Sequence, residues 1–364
     1  MKIGLVIYGS LDTLTGGYLY DRKVVEYLRS RGDEVEVFSL PWRNYASHIM
    51  DNFSSRLFKS LCRAKIDVLL QDELNHPSLF HINRRLKCRN KYPITSVVHH
   101  LRCNESRQRW QNTFYRYVER SYLSTVDGFI FNSNTTRATV EALIGAGKPS
   151  VTCYPGRDGS AGSIDEDRIR ARANEPGPLR ILFVGSLIPR KELHTLILAL
   201  ARLPKEKWQM EVVGNLTTDA SYSAGIRELI AAATLGDAIT LHGPLSAEQL
   251  AALYARSHLI AVPSSYEGFG IVYIEGMGYG LPALASTAGA AHEIITDGVD
   301  GFLVHPGDEA GISARIGELL SDRDKLVQLS LAALERYNRH STWSDTGRGV
   351  FDFLRNMVQR QHEK

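Results

Sequence analysis

Short apolar segments recur along the chain, and each is followed by a turn and then by a helical pattern. Clear examples lie at residues 2–8, 66–70, 180–186 and 258–263. Segments that are apolar without strict alternation suit strands buried on both faces, as in parallel sheets covered by helices. The recurrence therefore predicts an α/β fold in which helices connect parallel strands.

One segment interrupts this rhythm. Residues 159–178 are rich in Gly, Ser, Asp, Glu, Arg and Pro and show no convincing core pattern. Six strand-like segments precede it, and the alternation restarts after it. Because 364 residues also exceed the usual size of one core, we expect two Rossmann-like domains, at 1–158 and 179–342, joined by a linker at 159–178.

Composition narrows the class of protein. Hydrophobic residues make up 43% and charged residues 23% of the chain, which is ordinary for a soluble globular protein. There is no long apolar run, and residue 2 leads straight into a strand-like segment, so we expect a cytoplasmic protein without a signal peptide. The four cysteines are far apart and include no Cys-x-x-Cys. They indicate neither a zinc site nor a disulfide framework.

The charge is distributed unevenly between the two halves. Residues 1–160 contain 23 Lys and Arg against 15 Asp and Glu, whereas residues 161–364 contain 20 against 25. The basic first half indicates an anionic partner or surface. Aromatic and basic residues also alternate at helical spacing in 41–65 and 105–127. Core packing explains such a pattern, and an anionic membrane surface is the alternative. The chain shows no nucleic-acid-binding fold signature, so we expect no nucleic acid partner.

The turn after the segment at 258–263 has the features of an anion site. Gly268 and Gly270 permit a tight turn, and a helical pattern begins at about Gly270. The free N–H groups of that helix start would face the turn. Glu267 and Glu275 bracket it, and carboxylates suit the hydroxyl groups of a sugar or ribose. The alternative is an ordinary strand–turn–helix unit with two solvated acids.

A second cluster follows the segment at 180–186. Arg190 can contact two phosphate oxygens at once, and Lys191 supplies a compact charge. Both lie at the start of a helix predicted at 191–203, whose dipole also favours an anion.

Two features of the first domain lie where ligands bind in α/β folds. Gly16 and Gly17 occupy the loop after the first strand, ahead of a helix predicted from about Tyr18. No Gly-x-Gly-x-x-Gly fingerprint is present, which argues against a dinucleotide enzyme. His99 and His100 directly follow the strand predicted at 93–98. The alternative for the glycine loop is a flexible connector, and the alternative for the two histidines is a structural role.

These motifs together resemble one family. The sequences Ser-Tyr-Glu-Gly-Phe-Gly at 265–270 and Glu-Gly-Met-Gly-Tyr-Gly-Leu-Pro at 275–282, with Arg190 and Lys191, are similar to the Glu-x7-Glu pattern of retaining, GT-B-fold glycosyltransferases of group 1, or family 4. The resemblance is specific from about residue 180 to 304 and holds in the first domain only for layout. It implies two Rossmann-like domains facing a central cleft, with a terminal helix at about 343–364 that returns to the first domain.

The resemblance also implies roles for individual residues. The second domain would hold a nucleoside-diphosphate sugar, with Glu275 accepting from the ribose hydroxyls. The residues expected to act in catalysis are Glu267, Lys191, Arg190 and His99, with His100 in reserve. The residues expected to bind the donor are Gly16, Gly17, Arg190, Lys191, Gly243, Gly268, Phe269, Gly270, Ile271 and Glu275.

The implied chemistry is transfer by front-face attack, in which the departing phosphate takes the proton of the acceptor. We expect no cofactor and no metal, because two cations and a helix N-terminus already face the diphosphate. The acceptor would be a glycan, a lipid-linked molecule or a small phosphorylated compound, and the protein would work in the cytoplasm or at its membrane face. A nucleotide-sugar epimerase of the same fold and a non-catalytic sugar-nucleotide-binding subunit are the alternatives.

Overall fold

The computed structural model describes residues 1–89, 92–105, 107–159 and 164–363, which form two compact units. Unit 1 comprises Met1–Gly156 and Ser341–Lys364, and unit 2 comprises Arg157–His340. Of the linker expected at 159–178, residues 160–163 lie outside the described part of the chain. Residues Glu166–Asn174 form a helix of unit 2. The sequence did not predict this helix, because Ile169 and Ala173 are its only buried apolar residues and they are too few to give a core pattern.

Unit 1 contains a six-stranded sheet in the order β2-β1-β3-β4-β5-β6, and all its paired strands are parallel. Its strands are β1 Lys2–Tyr8, β2 Glu34–Leu40, β3 Val68–Asp72, β4 Ile94–Val98, β5 Gly128–Phe131 and β6 Ser150–Thr152. Its helices are α1 Gly16–Ser30, α2 Tyr45–Met50, α3 Ser55–Arg63, α4 His76–Lys87, α5 Arg109–Leu123, α6 Asn134–Ile144 and α14 Trp343–His362.

The apolar character of β1 follows from burial on both faces of this sheet. Val6 and Tyr8 pack into one apolar cluster, while Ile3, Leu5 and Ile7 pack into another on the opposite side. Successive side chains of a strand point to opposite faces, so a strand covered on both sides must be apolar throughout. Helix α14 belongs to the second cluster through four buried side chains, Val350, Phe353, Leu354 and Met357.

Unit 2 contains a second six-stranded sheet, in the order β12-β11-β10-β7-β8-β9, again with parallel pairs. Its strands are β7 Leu179–Val184, β8 Trp208–Val213, β9 Ile239–Gly243, β10 Leu259–Val262, β11 Ala283–Ser286 and β12 Gly301–Val304. Its helices are α7 Glu166–Asn174, α8 Leu193–Leu200, α9 Ala220–Ala232, α10 Ala247–Arg256, α11 Ile271–Gly278, α12 Glu309–Ser321 and α13 Arg323–Arg339.

The two sheets confirm the predicted α/β class with two Rossmann-like halves. Two helix starts differ from the expectation. Helix α1 begins at Gly16, not at Tyr18, because the side chain of Thr15 caps it by accepting from the Tyr18 amide. Helix α8 begins at Leu193, because Pro189–Lys191 form a separate 3-10 turn and Glu192 adopts a left-handed backbone with φ of 50°.

Candidate functional site

Glycines occupy the carboxyl ends of three neighbouring strands in unit 2. The Gly185 amide donates to the carbonyl of Val213 at 2.8 Å, and the Gly214 amide donates to the carbonyl of Gly243 at 3.1 Å. A Cβ on Gly214 would lie 2.0 Å from the Gly185 carbonyl oxygen, so no other residue fits there. This edge of the sheet therefore presents backbone groups without side chains. Gly243 was predicted as a site residue, whereas Gly185 and Gly214 were not, although each is a glycine at a strand end.

Arg190, Lys191 and Glu267 meet at the same edge of the sheet. The Lys191 Nζ lies 2.5 Å from Glu267 Oε2, and Arg190 Nη1 lies 3.9 Å from the same oxygen. Arg190 Nη1 also donates to the carbonyl of Tyr266 at 2.7 Å. Ser264 Oγ donates to Glu267 Oε2 at 3.2 Å. Three side chains, those of Arg190, Lys191 and Ser264, thus converge on the Glu267 carboxylate.

The Lys191 ammonium is largely withdrawn from water, with 13% of its side chain exposed. Burial lowers the pKa of Lys191, and the adjacent Arg190 lowers it too, while Glu267 opposes both by stabilising the charged amine. The net direction is downward. A cation held in this way has lost much of its hydration and gains more from an arriving anion than a surface lysine does.

The turn at 268–271 requires glycine and leads into an open helix start. Gly270 has a φ of +101°, and a Cβ on it would lie 2.4 Å from the ring of Tyr273. Helix α11 begins at Ile271, and no side chain among the described residues caps it. Phe269 is buried beside the ring of His340, which anchors the turn next to Gly268. A helix start without a side-chain cap is a position at which an anion can bind.

A second loop holds the backbone of Glu267. The Glu267 amide donates to the carbonyl of Ala288 at 3.3 Å, and the Ala290 amide donates to the carbonyl of Glu267 at 2.8 Å. Gly289, between them, has a φ of +86°, and a Cβ on it would lie 2.0 Å from the Glu267 carbonyl oxygen. The carboxylate is therefore positioned by two loops. The predicted site residues did not include this loop.

Glu275 lies on α11 and has one clear partner. The Tyr254 hydroxyl donates to Glu275 Oε2 at 2.9 Å. Burial raises the pKa of Glu275, and the Tyr254 hydrogen bond partly offsets that rise. The ring of Tyr254 stacks on Tyr279, with centroids 5.3 Å apart and planes 13° apart. Tyr254 thus orients Glu275, a role that only the folded chain reveals because the two residues are 21 positions apart.

In unit 1 the structure brings Gly17 and His99 together. A Cβ on Gly17 would lie 3.2 Å from His99 Cδ2, so the helix start packs directly on the imidazole. His99 Nε2 lies 3.4 Å from Asp21 Oδ1. Burial by itself lowers the pKa of His99, but Asp21 and Asp72 raise it, and the net direction is upward. Gly16 is the first residue of α1 and lies one position before Gly17, the glycine that packs on His99.

His100 has a different environment. Its Nε2 lies 3.2 Å from Glu105 Oε1, and Arg107 pairs with the second oxygen of the same carboxylate at 2.6 Å. Burial alone raises the pKa of Glu105, but His100 and Arg107 outweigh burial and lower that pKa to about 2. Of the two histidines left open by the sequence, His99 is the one that contacts the glycine helix start.

Buried polar groups surround the ends of β3 and β4. Two sets of side chains have ligand atoms within 4.8 Å of one another and could hold a metal ion: Asp21, Asp72 and His99, and Glu73, His76 and Glu119. Within the described part of the chain, neither polar side-chain atom of the fully buried Asn75 has a hydrogen-bond partner. Buried amides are normally satisfied, so this edge has capacity for a polar ligand. The largely polar run at 71–76, at the end of β3 and directly after it, is a sequence signal that could have indicated this capacity.

A family model describes most of unit 2. Residues 165–336 match the model of "Glycosyl transferases group 1". The chain is 28% identical over 242 residues to a D-inositol 3-phosphate glycosyltransferase of Nocardia farcinica. That match covers 64% of this chain and 53% of the relative, so the chain spans about half the length of that relative. It is also 26% identical over 261 residues to a GDP-mannose-dependent alpha-(1-6)-phosphatidylinositol monomannoside mannosyltransferase of Mycobacterium tuberculosis, covering 65% of each.

Solved structures share the fold of the whole chain. A sucrose-phosphate synthase from Thermosynechococcus elongatus superposes with a TM-score of 0.84 at 21% identity, covering 99% of both chains. Anabaena HepE, solved with UDP and glucose, superposes with a TM-score of 0.79 at 18% identity, covering 98% of this chain and 100% of that one. At such identities these likenesses concern the fold. They confirm the GT-B architecture that the sequence resemblance implied.

Proposed function

We propose that this chain, of which residues 165–336 match the group 1 glycosyl transferase model, moves a sugar from a nucleoside-diphosphate sugar to a hydroxyl group of an acceptor. The observation that carries this proposal is the meeting of Arg190, Lys191 and Glu267 beside the uncapped start of α11. Two cations and a helix start suit a diphosphate. One carboxylate among them suits sugar hydroxyls.

The donor would lie along the carboxyl edge of the unit 2 sheet. Arg190 and Lys191 would stabilise negative charge as the nucleoside diphosphate departs, which is where charge develops in the reaction. Glu275, held by Tyr254, would accept from the ribose. The glycine strand ends would allow the base to approach the backbone, with Gly243 among them. Glu267 and the backbone at 268–271 would address the transferred sugar.

We further propose that transfer retains the anomeric configuration of the donor by front-face attack, as in the retaining family 4 enzymes that the sequence resembles. His99 is the residue of unit 1 that we assign to catalysis, since its charged form is favoured by Asp21 and Asp72. The anomer of the product, determined by proton NMR, tests the stereochemical part. A product of inverted configuration would contradict it.

We propose that no divalent metal is required for transfer. The sequence has two Asp-x-Asp segments, starting at Asp165 and Asp322. Both of these residues cap helices, accepting from the amides of Arg168 and Lys325. Chelation decides the question: transfer should persist in excess EDTA at its rate in Mg²⁺. Loss of transfer that Mg²⁺ restores would overturn metal independence.

For the acceptor, unit 1 offers buried polar groups at its strand ends and an exposed aromatic and basic surface. In the described part of unit 1, seven large apolar side chains are exposed: Leu14, Trp42, Met50, Phe53, Trp110, Phe114 and Tyr117. Helices α2 and α5 lie side by side, since the ring centroid of Tyr45 on α2 is 6.0 Å from that of Phe114 on α5. We propose a glycan, lipid-linked or small phosphorylated acceptor, used in the cytoplasm or at its membrane face. Among the described helices, none is long and apolar enough to span a bilayer.

Liposome co-sedimentation tests the membrane part of this proposal. The protein should sediment with anionic vesicles at low salt and dissociate at high salt, because the attraction is electrostatic. The double variant Trp110→Ser, Phe114→Ser should bind less. The absence of sedimentation with anionic vesicles would remove the membrane as a partner, whereas equal sedimentation with neutral vesicles would contradict the electrostatic attraction.

A donor screen tests the proposed activity itself. UDP-, GDP- and ADP-sugars should be compared by thermal shift, because a bound donor stabilises the folded protein by mass action. The stabilising donor is then incubated without an acceptor and with candidate acceptors. A new glycoside supports transfer, whereas an isomerised nucleotide sugar without acceptor would indicate the epimerase. Binding without any turnover would indicate the non-catalytic subunit.

A further inference from the structure

A groove of about 610 Å³ lies in unit 2 and is lined mainly by arginines. Its charged lining residues are Arg168, Arg172, Arg180, Arg256 and Glu175, and Tyr279 completes one wall. Four positive side chains against one negative one make it strongly basic. The half of the chain that contains it is acidic overall, with 25 Asp and Glu against 20 Lys and Arg in 161–364. A size of this order is typical of a small-molecule site.

The groove lies at the edge of the sheet opposite to Arg190 and Lys191. Arg180 is the second residue of β7, and Arg256 is the last residue of α10, the helix that precedes β10. Both positions mark the amino ends of parallel strands. Arg190 and Lys191 follow the carboxyl end of β7. The groove is therefore separate from the proposed diphosphate contacts.

Arg172 forms the rigid base of the groove. It is buried, and its guanidinium donates to the carbonyls of Ala255 at 3.2 Å and Gly280 at 2.9 Å. Burial, with a further contribution from the nearby charges of Arg180 and Arg168, lowers the pKa of Arg172 to about 10. Like charges have thus been brought together at a buried position, which costs free energy in the unliganded protein.

Carboxylates compensate only part of this charge. Arg180 pairs with Glu175 at 2.7 Å, and Arg256 pairs with Glu211. Over the described residues, neither Arg168 nor Arg172 has a carboxylate within ion-pair distance. Arginine forks bind phosphate oxygens in pairs, so uncompensated arginines that converge in a groove suit a phosphate-bearing ligand.

One wall of the groove touches the residue that orients Glu275. Tyr279 stacks on Tyr254, and the Tyr254 hydroxyl donates to Glu275. A ligand that shifts the Tyr279 ring would change the position or hydrogen bonding of Tyr254. Glu275 is the predicted ribose ligand, so an occupant of the groove has a direct physical route to the donor.

We propose that this arginine groove binds a small soluble anion with two or more phosphate groups, and that the bound anion changes donor affinity through Tyr279 and Tyr254. The second part rests on the proposed function, whereas the first does not. Binding is therefore measured directly, without turnover.

Calorimetry with tripolyphosphate tests binding. All proteins carry Lys191→Ala, which removes the proposed diphosphate contact at the other edge. Arg168→Glu should weaken tripolyphosphate binding at least about tenfold, because it removes charge-assisted hydrogen bonds and adds repulsion. Arg170→Glu is the matched control, since Arg170 lies on the same helix, pairs with Glu166 and is 52% exposed, and should change affinity less than about twofold by the ordinary scale of surface pairs. No binding, or equal loss in both variants, overturns the site, and equal affinity for citrate overturns its assignment to phosphate.

Coupling is tested with Lys191 intact. Donor affinity is measured at rising tripolyphosphate in the wild-type protein and in Arg168→Glu. Competition at the donor site weakens both proteins equally, so the difference between them reports the groove. A difference supports the coupling, and identical curves overturn it even where calorimetry shows binding.

Discussion

At the scale of single residues, the Lys191–Glu267 pair explains how the proposed site would serve both a diphosphate and a sugar. In the protein alone the ammonium lies 2.5 Å from the carboxylate, and both side chains are mostly buried. An arriving phosphate would compete for Lys191 and leave Glu267 free to accept from sugar hydroxyls. The pair thus keeps each buried charge compensated until the donor replaces it.

Tyr254 is expected to affect donor binding indirectly, through its hydrogen bond to Glu275. Tyr254→Phe keeps the stack on Tyr279 but removes the hydrogen bond to Glu275. The buried carboxylate then loses its donor, its pKa rises further, and it accepts less well from the ribose. We expect the donor KM to rise about tenfold, in line with a lost hydrogen bond to a charged group, while kcat changes little.

Steady-state kinetics at several pH values check this. The donor KM of Tyr254→Phe should fall as pH rises, because Glu275 regains its charge. Tyr222→Phe serves as control, since that hydroxyl contacts His194 instead. A KM equal to that of the wild-type protein at every pH would remove Tyr254 from the site.

At the scale of elements, two loops fix the acidic turn. Residues 264–270 form the turn, and residues 286–290 hold its backbone from the side through Gly289. The second loop also explains why the Glu267 carboxylate has a defined direction despite lying in a turn.

Gly289→Ala should disrupt this arrangement. A methyl group would lie 2.0 Å from the Glu267 carbonyl, and φ is +86°. We expect the free energy of unfolding to fall by about 3 kcal/mol, because of backbone strain and steric overlap. Donor binding should weaken by a similar free energy. Gly307→Ala is the matched control, because Gly307 has a similar φ of +73° but nothing within 4 Å; it should cost about 1 kcal/mol. Equal losses in urea unfolding would show that the packing against Glu267 is not important.

The sequence predicted the architecture, and it named most of the unit 2 residues that the structure brings together, because the determinants are local there. Arg190, Lys191, Glu267 and Gly270 each lie at a strand end that apolar patterning reveals. The Tyr254–Glu275 bond and the packing of Gly17 on His99 could not be predicted, since each depends on elements meeting in the fold. The helix start at Gly16 was mistaken because glycine indicates a loop, yet the Thr15 cap outweighs that preference.

At the scale of the whole molecule, the two units differ in their buried charges. Unit 1 buries Asp72, Glu73 and Glu119 near the ends of its strands. Burial raises the pKa of each to about 7. The proposed acceptor unit thus contains carboxylates that are poised to change charge near neutral pH.

The raised pKa values of these three carboxyl groups predict how the free energy of unfolding depends on pH. Because the folded pKa values exceed those of the unfolded chain, the folded protein binds these protons more tightly. The stabilisation is complete below about pH 4 and is lost as pH rises through 7. Asp72→Asn should remove part of that loss, on the order of 2 kcal/mol between pH 5.5 and 8. Thermal unfolding across this range checks it, with the exposed Asp352→Asn as control; identical pH slopes for Asp72→Asn and the wild-type protein would show that Asp72 titrates normally.

Lys191 should be required for efficient sugar transfer from a nucleotide donor. The most direct test measures the initial rate of glycoside formation, with the donor found by the screen, in the wild-type protein, Lys191→Ala and the exposed-site control Lys205→Ala. Circular dichroism verifies that all three are folded. We predict a fall in kcat/KM of about 100-fold or more for Lys191→Ala, the usual effect of removing one stabilising group from a developing charge, and no more than a twofold change for Lys205→Ala by the scale of surface substitutions. Transfer by Lys191→Ala at the wild-type rate would show that Lys191 does not stabilise the departing diphosphate.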